Sequence, residues 1–296
     1  QIEQMDRGIG KIIEKLKNIG ELENTIIMFA ADNGGCAEFL AEDSNNPNPN
    51  QFNNPGPDGK KVNFGNIPNL RPGPADTFMS YDLPWANLSN TPFRLFKRWV
   101  HEGGISTPFI VHWPEKILEH NVIDTPVQFA DISPTILDVC GSNYPGTFNG
   151  KDITPIEGES FARLFDGYEF VKDKPLCWEH EGNRAVRIGE WKLVSEYPGP
   201  WELYNINDDR SETNNLVNKE KDIADKLEKE YKDWTKRCGI LDWPIRVNES
   251  SSKKIYSINK NEVGLDPNMT PINLEKERRY ERKPPSKNNN TIRGMR

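Results

Sequence analysis

The run Thr-Ile-Ile-Met-Phe-Ala-Ala at residues 25–31, ending on Asp32-Asn33-Gly34-Gly35, constrains this chain more than any other stretch. A strand without a polar face must be covered on both sides, so the run predicts a buried strand of a parallel sheet. A helical stripe precedes it. Ile2, Met5, Ile9, Ile12, Ile13 and Leu16 recur at helical spacing, and Gly20 suits the left-handed turn just past a helix end. Helix, short link and buried strand make half of a βαβ unit, and this part of the chain reads as α/β. The stripe begins almost at the first residue, with no cap or start methionine before it. The sequence therefore reads as opening inside a domain.

Residues 41–90 are dominated by Asn, Pro, Gly and Asp and show no periodicity, the texture of a functional excursion or a disordered insert. A second strand is predicted over 109–113, stopped by Pro114. A helix is expected at about 131–140, capped by Asp131 or Ser133, with Ile136, Leu137 and Cys140 turned inward and Gly141 as its stop. After residue 150 the texture changes. Segments near 176–180, 184–188, 192–194 and 202–204 are separated by Gly, Asn and Pro turns and predict a small antiparallel sheet. Ile223, Leu227, Tyr231 and Trp234 mark an amphipathic helix to cover it. The expected organisation is an α/β portion over 1–150, a small α+β subdomain over 151–246, and an extended or disordered tail over 247–296.

Several function classes are excluded at this level. With 38 Lys and Arg against 45 Asp and Glu, the net charge of −7 offers no basic face for a nucleic-acid backbone. The four cysteines, Cys36, Cys140, Cys177 and Cys238, form no C-x-x-C pair and no metal-ligand spacing with a histidine. No apolar run is long enough to make a transmembrane helix.

Chemistry concentrates in two blocks. Asp32-Asn33-Gly34-Gly35 sits at the carboxyl end of a predicted strand, where open α/β sheets place their ligands. A carboxylate beside an amide carbonyl offers hard oxygen donors for Ca²⁺ or Mg²⁺, although Asp-Asn-Gly is also a common turn. The second block reads Lys97-Arg-Trp-Val-His101-Glu102-Gly103-Gly104, followed by a Pro108-led apolar strand ending Trp113-Pro114.

This second block strongly resembles the second signature region of type I, formylglycine-dependent sulfatases, of the bacterial arylsulfatase-like kind. Further blocks resemble that family in the same order. They are residues 1–35, residues 125–141, Gly158-Glu-Ser-Phe-Ala-Arg-Leu, Trp178-Glu-His-Glu-Gly-Asn-Arg184, Gly189-Glu-Trp-Lys-Leu193 and Glu202-Leu-Tyr-Asn205. The resemblance implies an alkaline-phosphatase-like sandwich, present in part, followed by a small antiparallel sheet with a packed helix. It implies hydrolysis of sulfate esters, small-molecule or carbohydrate, by a formylglycine hydrate beside bound Ca²⁺ or Mg²⁺, in a periplasmic or extracellular setting. Asp32 and Asn33 match metal ligands, and Lys97 matches the lysine that contacts the sulfate. An ammonium there would neutralise charge building on the leaving oxygen. The departure is that no C-x-P-x-R or S-x-P-x-R motif occurs among these residues, so formylglycine is expected from a segment upstream and the chain alone is expected to be inactive.

Three histidines remain to be placed. His101 lies close enough to Lys97 to touch the leaving group or donate a proton, and a packing role fits equally well. His112 alternates within a predicted strand and reads as structural, whereas His180 and Arg184 fall in a polar cluster suited to reading the substrate. The competing functions are a phosphodiesterase or phosphonate hydrolase of the same superfamily, for which Asp-His would be expected in place of Asp32-Asn33, and a non-catalytic remnant or binding module.

Overall fold

The computed structural model of the protein describes residues 1–38, 55–56 and 58–244. The opening stripe becomes α1 (Ile2–Asn18), with Glu3 in its first turn and Lys15 and Lys17 in its last, charges that complement the helix dipole. None of its residues is buried, and Ile2 and Ile12 are 78% and 62% exposed. The run at 25–31 contributes β1 (Ile27–Ala30). Two short strands, β2 (Asn63–Phe64) and β3 (Thr77–Phe78), pair in parallel and stack Phe64 on Phe78.

Within the stretch expected to lack structure lies α2 (Asp82–Asn90), with Pro84 in its first turn, where a missing N–H costs nothing. Residues 41–54 and 57 of the predicted excursion fall outside the described residues, as does the predicted tail from 247. A single turn, α3 (Glu102–Ile105), leads into β4 (Phe109–His112).

The strand expected in a parallel sheet pairs antiparallel instead: Ile27 stands opposite His112 and Ala30 opposite Phe109. An apolar run reports coverage and not the direction of its partner, and here the partner is the returning Pro108-led strand. All four β1 residues are only half-buried among the described residues.

A 3₁₀ turn at Phe129–Asp131 precedes α4 (Ile132–Val139). Asp131 is fully buried and stands at the N-cap of α4 as expected, but its carboxylate serves the 3₁₀ turn, accepting from the Gln128 and Glu159 backbone N–H groups and pairing with Lys172. Of the expected inward face Leu137 is half-buried, whereas Ile136 and Cys140 are exposed and Thr135 is the buried residue of α4. Thr135 wins the inward position because its hydroxyl donates to Asp131 O and accepts from Phe161 N–H. A small hairpin, β5 (Thr147–Phe148) and β6 (Lys151–Asp152), turns on Asn149 and Gly150, both at positive φ.

The second half follows its pattern closely. Strands β7 (Leu176–His180), β8 (Asn183–Ile188), β9 (Trp191–Ser195) and β10 (Glu202–Asn205) form an antiparallel meander in sequence order. α5 (Lys221–Cys238) packs on one face, closing Val186, Leu193 and Leu203 against Ala224, Leu227 and Tyr231. The opposite face presents Ala185, Val194 and Tyr204 to Val100, in the loop that follows Lys97. The sheet is thus covered on both sides. That explains why Ala185-Val186 and Leu193-Val194 lack the polar alternation of a half-exposed strand.

Candidate functional site

Four glycines bring the two chemical blocks together. Gly34 N–H donates to Gly104 O at 3.0 Å, Lys97 N–H to Gly35 O at 3.0 Å, and Gly103 N–H to Arg94 O at 2.8 Å. A Cβ on Gly34 would sit 1.8 Å from Gly103 O, on Gly103 2.1 Å from Leu95 O, and on Gly104 1.9 Å from Trp99 O. Only residues without side chains permit this backbone approach. Asn90 stitches the same junction, accepting from Gly35 N–H at 2.9 Å and donating to Leu95 O at 3.0 Å.

The lock sets Lys97 beside the end of β1. Asp32, Asn33, Lys97, Arg98 and His180 are among the many residues around one broad open cleft that extends as far as Trp234 and Cys238, and it is the backbone bonding that places Lys97 beside the end of β1. Leu95 and Arg98 bracket the lysine with positive φ values of 63° and 96°, strain that the glycine lock and the sheet beneath it hold in place. The Lys97 ammonium faces Glu38 at 3.5 Å, both side chains being exposed. Such a surface pair contributes little and yields readily to an incoming anion.

Asp32 is exposed and accepts from its neighbour's backbone, Asn33 N–H, at 3.1 Å. Asn33 turns its amide nitrogen onto Gly34 O at 2.8 Å, which directs its oxygen away from that carbonyl. The pair suits a hard cation in donor type. It falls short in number, since Ca²⁺ takes six to eight oxygens and Mg²⁺ six, and no cluster of three acidic, His or Cys side chains occurs among the described residues.

The other predicted residues separate. His180 is exposed at the cleft, next to a turn that Arg98 clamps through Glu181 at 2.8 Å. Arg184 lies outside it, stacked 4.3 Å over the Trp201 ring and lining a shallow depression with Tyr197 and Pro200. The His101 side chain is fully buried and turned from the cleft toward Glu202, with Nε2 3.5 Å from Oε2. His112 ends β4 in the pairing with Ile27.

Beneath Lys97 is a charged cluster that the sequence did not announce. Lys192, wholly buried on β9, holds Glu102 at 2.8 Å and Glu212 at 2.9 Å. Glu212 also accepts from Glu102 N–H at 2.8 Å, and Arg210 approaches Glu102 at 3.8 Å. Burial pushes the Glu102 carboxyl upward, but Lys192 with help from Arg187 and Arg210 outweighs it and leaves the group below its ordinary range. Alongside, Glu202 accepts from Arg94 at 2.8 Å and from the Tyr204 hydroxyl at 2.7 Å. With the His101 contact as the largest influence, these hold it down at about 2. The signal that could have found Lys192 is period two: it shares a strand face with Val194, which packs on Val100.

Comparison with known proteins identifies the family and the fold. The sulfatase family model matches residues 1–142, and the model of the N-sulphoglucosamine sulphohydrolase C-terminal region matches 93–237. The chain belongs to the sulfatase family. An uncharacterized sulfatase of Schizosaccharomyces pombe is 32% identical over 253 residues, 82% of this chain and 43% of that protein. An arylsulfatase of Klebsiella aerogenes is 30% identical over 166 residues, 55% of this chain and 33% of that one. This sulfatase chain therefore spans less than half the length of either relative. Among solved structures, a Bacteroides thetaiotaomicron protein from work on the metabolism of multiple glycosaminoglycans superposes at a TM-score of 0.54. It is 19% identical, with 79% of this chain and 43% of that one covered. Ps i-CgsB superposes at 0.51 with 21% identity, covering 88% and 46%. These likenesses fix the fold as alkaline-phosphatase-like α/β with a small C-terminal antiparallel sheet and helix.

Proposed function

We propose that this chain supplies the cation-and-lysine portion of a sulfate-ester hydrolase. The observation that carries the reading is the hydrogen bond from Lys97 N–H to Gly35 O, which fixes the ammonium-bearing residue against the Asp32-Asn33 turn in one cleft. A sulfate ester seated there would meet Lys97 on the side where negative charge develops, and an interaction that strengthens as charge grows lowers the barrier. Asp32 and Asn33 would hold Ca²⁺ or Mg²⁺ with oxygens from substrate, water and other segments. A cation so bound would polarise the sulfate group. The nucleophile, a formylglycine, would come from a segment outside these 296 residues, because none of the four cysteines lies in a C-x-P-x-R context.

His180, exposed at the cleft, would contact the group that the sulfate esterifies. A carbohydrate is the favoured class, since Ps i-CgsB has been solved in complex with k-i-k-neocarrahexaose. Extracellular or periplasmic action fits such a substrate. No helix of the described residues is long and apolar enough to cross a membrane.

The test is hydrolysis of an aryl sulfate by this chain combined with the C-x-P-x-R-bearing half of a relative. Turnover should require both parts and should fall at least a hundredfold in Lys97→Ala, the scale of losing one transition-state contact. Turnover by the chain alone, or unchanged turnover in the variant, would contradict the proposal.

A further inference from the structure

We infer that Lys192 is a positioning residue: held between Glu102 and Glu212, it fixes the α3 turn and, through the glycine lock, the place of Lys97 beside Asp32. The inference rests on the sulfate-site reading of Lys97 for its functional meaning, though its structural part can be tested separately.

A continuous path supports it. Lys192 lies on the sheet face that packs against Val100, and its ammonium meets Glu102, the first residue of α3. The next two residues, Gly103 and Gly104, bind Arg94 O and Gly34 N–H, and Gly35 O then receives Lys97 N–H. The first link is a buried ion pair and the others are backbone bonds, so a shift of the α3 turn is carried along the path rather than lost to solvent-exposed side chains. The charges sharpen the effect. Lys192 on β9 faces two carboxylates, Glu102 on α3 and Glu212 in the loop after β10, with Arg187 on β8 and Arg210 as the surrounding cations. Removing the ammonium leaves two buried carboxylates in repulsion, and the least costly relief is to move the turn or to take up a proton.

The experiment compares Lys192→Met with Leu203→Ala, a control that weakens the α5 side of the same sheet. Two readouts are taken on the full chain: amide exchange at Gly34, Lys97 and Gly103, and affinity for inorganic sulfate between pH 5 and 8. In Lys192→Met, exchange at these three amides should rise about tenfold or more while the β8 and β9 amides stay protected. Sulfate should bind at least tenfold more weakly at pH 8 and recover part of that loss toward pH 5, as one carboxylate takes up a proton. Leu203→Ala should show neither pattern. If Lys192→Met does not fold, Glu212→Ala removes one of its two partners and the acceptor of Glu102 N–H, and should raise exchange at the same amides. Parent-like exchange in the folded variant, or an equal rise in the control, would overturn the inference. If exchange rises as described but the parent binds no sulfate through Lys97, the positioning stands and the sulfate-site reading fails.

Discussion

Replacing Gly34 by alanine tests the glycine lock most sharply. The new methyl would stand 1.8 Å from Gly103 O, against the 3.4 Å at which ordinary contact begins. That oxygen is backbone, and Gly103 is itself hemmed by Leu95 O and Arg94 O, so neither partner can rotate aside. The loops must part, and the bonds from Gly34 N–H to Gly104 O and from Lys97 N–H to Gly35 O are stretched or lost. Two hydrogen bonds at about 1 kcal/mol each, plus roughly 1–3 kcal/mol for overpacking, predict a loss of about 3–5 kcal/mol. Gly8→Ala in α1, where nothing lies within 4 Å, should instead be neutral or stabilising by up to about 1 kcal/mol. Urea unfolding followed by tryptophan fluorescence measures both. A Gly34→Ala loss below about 1 kcal/mol would show that the loops approach less closely than described and would refute the lock.

Other outcomes follow from single groups. Glu202 is held at about 2 against an ordinary 4.5, so its stabilisation is present above pH 4.5 and is lost as pH falls through about 2. For this part-exposed carboxylate, solvent screening limits the effect to about 1–2 kcal/mol, and Glu202→Gln should flatten the acid limb of stability between those pH values. Burial raises the Cys177 thiol to about 12, so an alkylating reagent at pH 8 should modify exposed Cys140 and Cys238 and spare Cys177, as mass spectrometry of peptides would show. In this chain combined with the C-x-P-x-R-bearing half of a relative, Asp32→Ala should abolish Ca²⁺ binding measured by calorimetry, while Lys97→Ala leaves it intact; equal binding by both variants would remove Asp32 from the cation site.

The second half of the fold was legible because its signals are local. Gly and Asn turns bound four short strands, and Leu227 with Tyr231 repeats at helical spacing, so β7 to β10 lie within a residue or two of expectation and α5 contains all four of its expected apolar positions. What failed depended on partners. A run such as Ile27–Ala30 cannot state strand direction, and α2 was hidden by Pro84 and Asn-rich surroundings. In the site, Asp32, Asn33 and Lys97 stood out through the resemblance of their blocks to the sulfatase signature, the Asp-Asn-Gly turn alone being a weak signal. Lys192 carried no functional signal in sequence, and His101 fitted a cleft contact and a packing role equally well, because burial is set by which sheet face meets the Lys97 loop.

The central claim, that Lys97 and the Asp32-Asn33 turn form one anion site, is tested most directly by titrating the isotopically labelled chain with inorganic sulfate in the presence of Ca²⁺. The account predicts resonance changes concentrated at residues 32–35 and at Lys97, saturating together and disappearing in Lys97→Ala. Saturable changes elsewhere with these residues silent, or sulfate binding undiminished in Lys97→Ala, would contradict it.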